Sequence, residues 1–174
     1  MFRSVYSFYN DNQKLHILSF PDDHKLTVIN EKNEIIYPPA YSNVYAVSNQ
    51  PMNLKKSALI AQKRHFQLEH FLDNVSYRGV FYDKFNEFYY RVTEIPESGI
   101  NDLLKSKKTI MLILDKDFNY VTEFTLPKYL LSENSFITPE GIFFLNTNNK
   151  NENIAKYEQY KISKIDNTVT ISNR

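Results

Sequence analysis

The sequence predicts an all-β fold of about three four-stranded antiparallel sheets with one helical insertion, the layout of a partial β-propeller. Three observations predict it. Aromatic residues make up 15% of the 174, as thirteen Tyr and thirteen Phe without a single Trp, and such residues suit pleated, half-buried surfaces. Short apolar runs alternate with polar turns along most of the chain. The four-run rhythm then recurs three times, each over roughly 40 to 50 residues.

The first set occupies residues 1–38. Val5 to Tyr9 is the first strand, and Asn10-Asp11-Asn12 turns the chain into Leu15 to Phe20. Pro21-Asp22-Asp23 turns it again into Leu26 to Ile29. Asn30 to Asn33 leads to Ile35-Ile36-Tyr37, which Pro38-Pro39 stops because proline donates nothing to a sheet ladder. Residues 39–75 are read as a loop and helix insertion: 40–52 show no period, whereas Asn53 can cap a helix over Leu54 to Leu72. Phe66, Leu68, Phe71 and Leu72 give that helix an apolar side.

The second set spans 76–127. Tyr77 to Tyr82 and Phe88 to Thr93 form a hairpin around Asp83-Lys84-Phe85-Asn86. Thr109 to Leu114 is apolar without alternation, as expected of a strand covered on both faces. Asp115 to Asn119 turns the chain into the strand from Tyr120 to Leu126, ended by Pro127. The third set, 133–173, comprises Ser135 to Thr138, Gly141 to Leu145, Ile154 to Ile162 and Val169 to Ile171. Three sets of four short strands suit radial packing, which protects sheet edges. A twelve-strand β-sandwich is the competing architecture.

Lysine and arginine number 21 against 20 acidic residues, so a formal charge of +1 provides no field to draw a nucleic acid. Lys55-Lys56 with Lys63-Arg64, and Lys105 to Lys108, read as solvated surface. Cysteine is absent, which removes disulfides, thiolate metal sites and thiol nucleophiles together. No signal-peptide h-region or apolar span long enough for a membrane helix is present, so the chain carries no address and its compartment stays open.

A resemblance rests on Leu68 to Arg91, LEHFLDNVSYRGVFYDKFNEFYYR, which combines a short helix, a Tyr-x-Gly strand, a Tyr-Asp turn and a Tyr-Tyr-Arg strand. A second block follows, with Ile113 to Asn119, Glu123 to Pro127 and Ser135 to Ile142 in order. Together they resemble a group of Bacteroidetes six-bladed β-propeller proteins of the NHL/TolB-like kind, commonly lipoproteins and of unknown function. The resemblance covers about residues 60 to 162 and implies the C-terminal half of such a protein, with a cell-envelope or periplasmic setting for the full-length form. It supplies no activity. The chain departs from those proteins in lacking the export signal with its lipid-bearing cysteine and in holding about half the blades of a closed ring. Two copies completing a six-bladed ring as a homodimer, and a fragment without function of its own, both fit that shortfall.

The chemistry on offer is sparse. Asp115-x-Asp117-x-Asn119 imitates a calcium loop, but Tyr120 stands where the loop needs Gly and Leu126 where it needs a bidentate Glu. His16, His24, His65 and His70 lack metal-ligand spacing. Gly79, Gly99 and Gly141 are the only glycines, leaving neither a phosphate-cradling loop nor a nucleophile elbow. Asp83, Glu94, Glu123 and Glu140 are scattered over turns and strand ends. No catalytic residue, metal site or cofactor is therefore assigned. The one polar-aromatic cluster suited to recognition is Tyr77, Arg78, Tyr89, Tyr90 and Arg91, which a hairpin brings together. Alternating Tyr and Arg more often pack on and hydrogen-bond to a neighbouring sheet, which is the stronger reading of the same residues. The leading functional reading is a non-enzymatic module that binds or scaffolds a protein, peptide or glycan, and the alternative is an enzyme with a metal in the propeller channel.

Overall fold

The computed structural model describes residues 5–44, 68, 71–97, 106–151, 153–165 and 168–173. These form twelve strands in three four-stranded antiparallel sheets. Sheet I holds β1 (Tyr6–Asn10), β2 (Leu15–Ser19), β3 (Leu26–Asn30) and β4 (Ile35–Ile36) in sequence order. Sheet II holds β5 (Ser76–Asp83), β6 (Phe88–Glu97), β7 (Ser106–Leu114) and β8 (Tyr120–Leu126). Sheet III holds β9 (Leu130–Thr138), β10 (Gly141–Asn146), β11 (Tyr157–Ile165) and β12 (Thr168–Asn173). Each sheet is a simple meander, a blade-like arrangement in which every strand pairs with its neighbours in sequence.

Helical backbone occurs at Leu68 and over 71–73. The rest of the helix expected over 54–72, including Phe66, lies outside the described residues, as do His65, His70, Gly99 and the basic residues 55–56, 63–64 and 105.

Four of the hairpins begin in the same way. A side-chain oxygen of Asn or Asp at the end of a strand accepts backbone N–H groups from the turn that follows, replacing ladder bonds that the turning chain gives up. Asn10 accepts from Asn12 and Gln13, Asn30 from Lys32 and Glu34, and Asp83 from Phe85 and Asn86. Asp115 accepts from Asp117 and Asn119. Lys14, Asn33, Glu87 and Phe118 then return the chain to the next strand with positive φ. The first hairpins of sheets I and II are thereby equivalent residue for residue: Phe8-Tyr9-Asn10 matches Phe81-Tyr82-Asp83, and Leu15-His16-Ile17 matches Phe88-Tyr89-Tyr90.

Sheet II is buried on both sides, which explains the unbroken apolar run of β7. One side packs on sheet I through Val80, Tyr89, Leu114 and Phe118 against Ile17, Leu26 and Val28. The other packs on sheet III through Tyr90, Met111, Ile113 and Leu126 against Ile142, Phe144 and Tyr160. Ile110 to Leu114 are accordingly buried in sequence, alternate side chains entering opposite interfaces.

Several strand limits differ from the expected ones. β6 runs on to Glu97 through Pro96, because β5 stops opposite Glu94 and β6 pairs there only with β7, a one-sided position that tolerates a missing N–H. β9 starts at Leu130 instead of Ser135, with a bulge opposite Phe144 and Leu145 absorbing the offset. β11 starts at Tyr157 instead of Ile154, because Asn149 donates to the Ile154 carbonyl and Asn151 accepts from Asn153, which holds that segment as a turn. β4 ends at Ile36, one residue short.

Candidate functional site

Strand β5 carries the feature from which the site is built. Tyr77 faces Thr93 and Val80 faces Arg91, so Arg78 and Gly79 together occupy one position of the partner strand. Such a bulge bends the strand and re-aims the side chain it expels. Arg78 consequently leaves the sheet plane and reaches two carboxylates. It donates to Glu94 Oε1 of β6 at 2.7 Å and forms a second ion pair with Glu133 of β9 in sheet III. Its side chain is 32% exposed. Burial works against the guanidinium charge, but the hydrogen bond and charge of Glu94, reinforced by Glu133, hold its pKa above the ordinary value.

The cluster continues along the strand ends. Ser76 Oγ donates to the other Glu94 oxygen at 3.1 Å, and Lys107 Nζ donates to Ser76 Oγ at 2.7 Å. Lys107 also lies 3.8 Å from the centre of the Phe71 ring, a cation–π contact with the end of the helical segment. Beside it, Lys128 donates to Glu97 at 2.6 Å and Ser106 donates to the same carboxylate at 2.7 Å. The Lys128 contact leads the causes that hold the Glu97 carboxyl below the usual range. Three cations, Arg78, Lys107 and Lys128, and three anions, Glu94, Glu97 and Glu133, thus share one partly exposed corner where sheets II and III meet. A charge-balanced, rigidly placed set of donors and acceptors of this kind can recognise polar groups.

The other four residues of the sequence-derived cluster lie elsewhere. Arg91 is fully buried and forms a bridge between sheets I and II. Its guanidinium donates to the carbonyls of Ala40 at 2.7 Å, Asp23 at 2.8 Å and His24 at 3.0 Å, and to Ser19 Oγ. The Tyr77 ring lies 4.0 Å from the guanidinium carbon. Burial pulls the Arg91 pKa down to about 9, against the opposing pull of Tyr77 and Asp23, so the group stays charged at neutral pH.

Tyr89 accepts a bond from Asn10 Nδ2 at 2.5 Å and donates to Gln13, tying sheet II to the first turn of sheet I. Tyr90 donates to Asp83 Oδ2 at 3.0 Å within its own hairpin. Burial pushes Tyr77 and Tyr89 up to about 12, and Tyr90 higher still, with the nearby Asp83 charge adding to its shift. Only Arg78 of the five therefore presents a charged group to solvent. The hairpin brings all five onto adjacent strands, but the β alternation sends them into different interfaces.

Remaining sequence candidates resolve as follows. Asp115 accepts from both the backbone and the side chain of Asn119 and from Asp117, so its oxygens are taken up by the hairpin turn. His16 lies against Tyr9 with ring centres 4.5 Å apart, and His24 lies 5.6 Å from Tyr41. Glu123 accepts from Ser42 at 2.7 Å and Glu140 from Thr138 at 2.5 Å. Among the described residues, no group of three His, Cys, Asp or Glu is placed to hold a metal ion, and no helix is long and apolar enough to cross a membrane. Sequence reading missed Ser76 and Glu133 and took Lys107 for solvated surface, because β5, β7 and β9 meet only in three dimensions.

Comparison with known proteins gives a consistent picture at the level of family. A model described as "Domain of unknown function (DUF4221)" matches residues 1–125. No curated protein matches. The chain is similar to a crystal structure of a member of the DUF4221 family from Bacteroides vulgatus, with a TM-score of 0.66 and 21% identity. That likeness covers 98% of this chain and 45% of the other, so the chain spans less than half the length of that protein.

Proposed function

From the premise that the chain belongs to the DUF4221 family, whose function is unknown, we propose that it is a non-enzymatic module of the β-propeller kind that binds or scaffolds a protein, peptide or glycan. The observation that carries the reading is the bulge at Arg78 and Gly79. A bulge costs ladder bonds, and here it aims a partly exposed guanidinium between carboxylates of two sheets on a rigid support. Polar recognition by pre-placed side chains is what such an arrangement suits. The finer parts of the proposal come from the resemblance: a six-bladed propeller of which these sheets are about half, and a full-length form held at the cell envelope.

Arrays of defined peptides and glycans, probed with the labelled chain and with Arg78→Ala, test this. Ligands retained by the wild type are expected to lose about tenfold or more in affinity with the variant. Absence of any specific ligand, or ligands indifferent to the variant, would reject the reading. Stoichiometric zinc or calcium in the purified protein would instead favour the channel-metal enzyme.

A further inference from the structure

The first strands of the three sheets lie side by side, and two of them are bulged where they face each other. β1, β5 and β9 are each the edge strand of their sheet. β5 packs beside β1 and reaches β9 through the ion pair of Arg78 with Glu133. In β5 the bulge falls at Arg78 and Gly79. In β9 it falls at Ser132, Glu133 and Asn134, since Leu131 faces Leu145 and Ser135 faces Phe144. Ser135 Oγ closes that bulge by donating to the Ser132 carbonyl at 2.8 Å. Tyr6 of β1 borders the same place, because a Cβ on Gly79 would lie 3.7 Å from Tyr6 Cδ1. Each sheet thus contributes one partly exposed side chain to a common strip: a phenol ring, a guanidinium and a carboxylate.

The make-up of the strip narrows what it can bind. An extended peptide that adds to a sheet edge needs an unbroken row of backbone donors and acceptors, and the bulges interrupt that row in both β5 and β9. An anion would have to draw Arg78 away from two carboxylates, and a cation would have to draw Glu94 and Glu133 away from Arg78. A neutral hydroxylated molecule breaks neither pair, because one hydroxyl accepts from an N–H and donates to a carboxylate at the same time. The Glu133 side chain is 54% exposed and Asn134 is exposed beside it, so both are within reach of such hydroxyls. The Tyr6 ring adds an apolar surface against which the C–H side of a sugar ring can lie.

We infer that the strip of Tyr6, Arg78, Glu133 and Asn134 binds a neutral oligosaccharide. The inference rests on the binding-module reading above and names the ligand class within it. One sugar ring lies on Tyr6, and its hydroxyls, or those of the next ring, bridge Arg78 to the carboxylate and amide of the β9 bulge.

Calorimetric titration of the whole chain with neutral oligosaccharides of glucose, galactose, mannose and xylose, alongside sulfated saccharides and peptides, provides the test. A neutral saccharide is expected to bind, with its affinity almost unchanged when salt is raised about tenfold, because no ion pair forms on binding. Tyr6→Ala and Glu133→Gln should each weaken it about tenfold or more, whereas Tyr6→Phe should keep it, since the ring makes the contact. Asn134→Ala, which removes only an exposed amide, should weaken it as well. All four variants should keep the wild-type circular dichroism and a cooperative melt. A peptide or a sulfated saccharide bound in place of the neutral ones, and lost with Arg78→Ala, would overturn this inference and leave the binding-module reading standing. So would a neutral saccharide indifferent to the Tyr6, Glu133 and Asn134 variants. Absence of any ligand would overturn both.

Discussion

Arg91 illustrates how one residue can serve two sheets at once. A buried guanidinium is costly unless its donors are satisfied, and here four backbone carbonyls, a hydroxyl and an aromatic face surround it. Truncation removes the donors and leaves the carbonyls of Asp23, His24 and Ala40 facing a void. Arg91→Ala should therefore cost about 3 to 5 kcal/mol, read as a lowered midpoint in urea unfolding. Arg91→Lys should recover little of it, because a compact ammonium cannot reach several divergent carbonyls. Sequence pattern made Arg91 and Tyr77 prominent as recognition residues. Bonding to a neighbouring sheet was the other reading of the same residues, but the particular partners Ser19, Asp23, His24 and Ala40 could not be read there, since they are distant in sequence.

At the level of elements, turns define the sheets as much as strands do. The Asx residues Asn10, Asn30, Asp83 and Asp115 were legible as turn formers from their positions between apolar runs. The β9–β10 hairpin is built differently. It turns through Pro139-Glu140, and Gly141 follows at φ 141, a conformation open to glycine and strained for any residue with a Cβ. A Cβ at this position would also collide with the Tyr160 carbonyl of β11 and lie 3.3 Å from Lys161 Cα. Gly141→Ala should thus destabilise sheet III by roughly 2 kcal/mol or more, measured by hydrogen exchange of β9 to β11. The bulge at Arg78 was not foreseeable from alternation alone, because Tyr77 to Tyr82 reads equally well as a regular strand.

Across the whole molecule, the buried tyrosines set the alkaline limit of stability. Tyr77 and Tyr89 titrate near 12 when folded against 10 when unfolded, and Tyr90 is displaced further in the same direction. The folded chain keeps protons that the unfolded chain releases, so this contribution is complete below pH 10 and is lost as pH rises through 12. Arg91 has the opposite sign, because its folded value near 9 lies below the ordinary 12.5, and it offsets one tyrosine of the three. Stability should fall on net above about pH 10, with tyrosinate absorbance from these rings appearing only together with the loss of sheet circular dichroism. Gradual tyrosinate formation from all thirteen rings in a chain that stays folded would contradict the burial described here.

The amino-acid sequence by itself determined the all-β class, the number and order of the strands and the turns that connect them. Period, β-branched and aromatic content and Asx placement are local properties, and local sterics and hydrogen bonding act on them directly. The tertiary structure alone decided which side chains are consumed and which are presented. Burial depends on which sheet covers which face, so Arg91 became a bridge and Arg78 a surface ion pair, though both read alike along the chain.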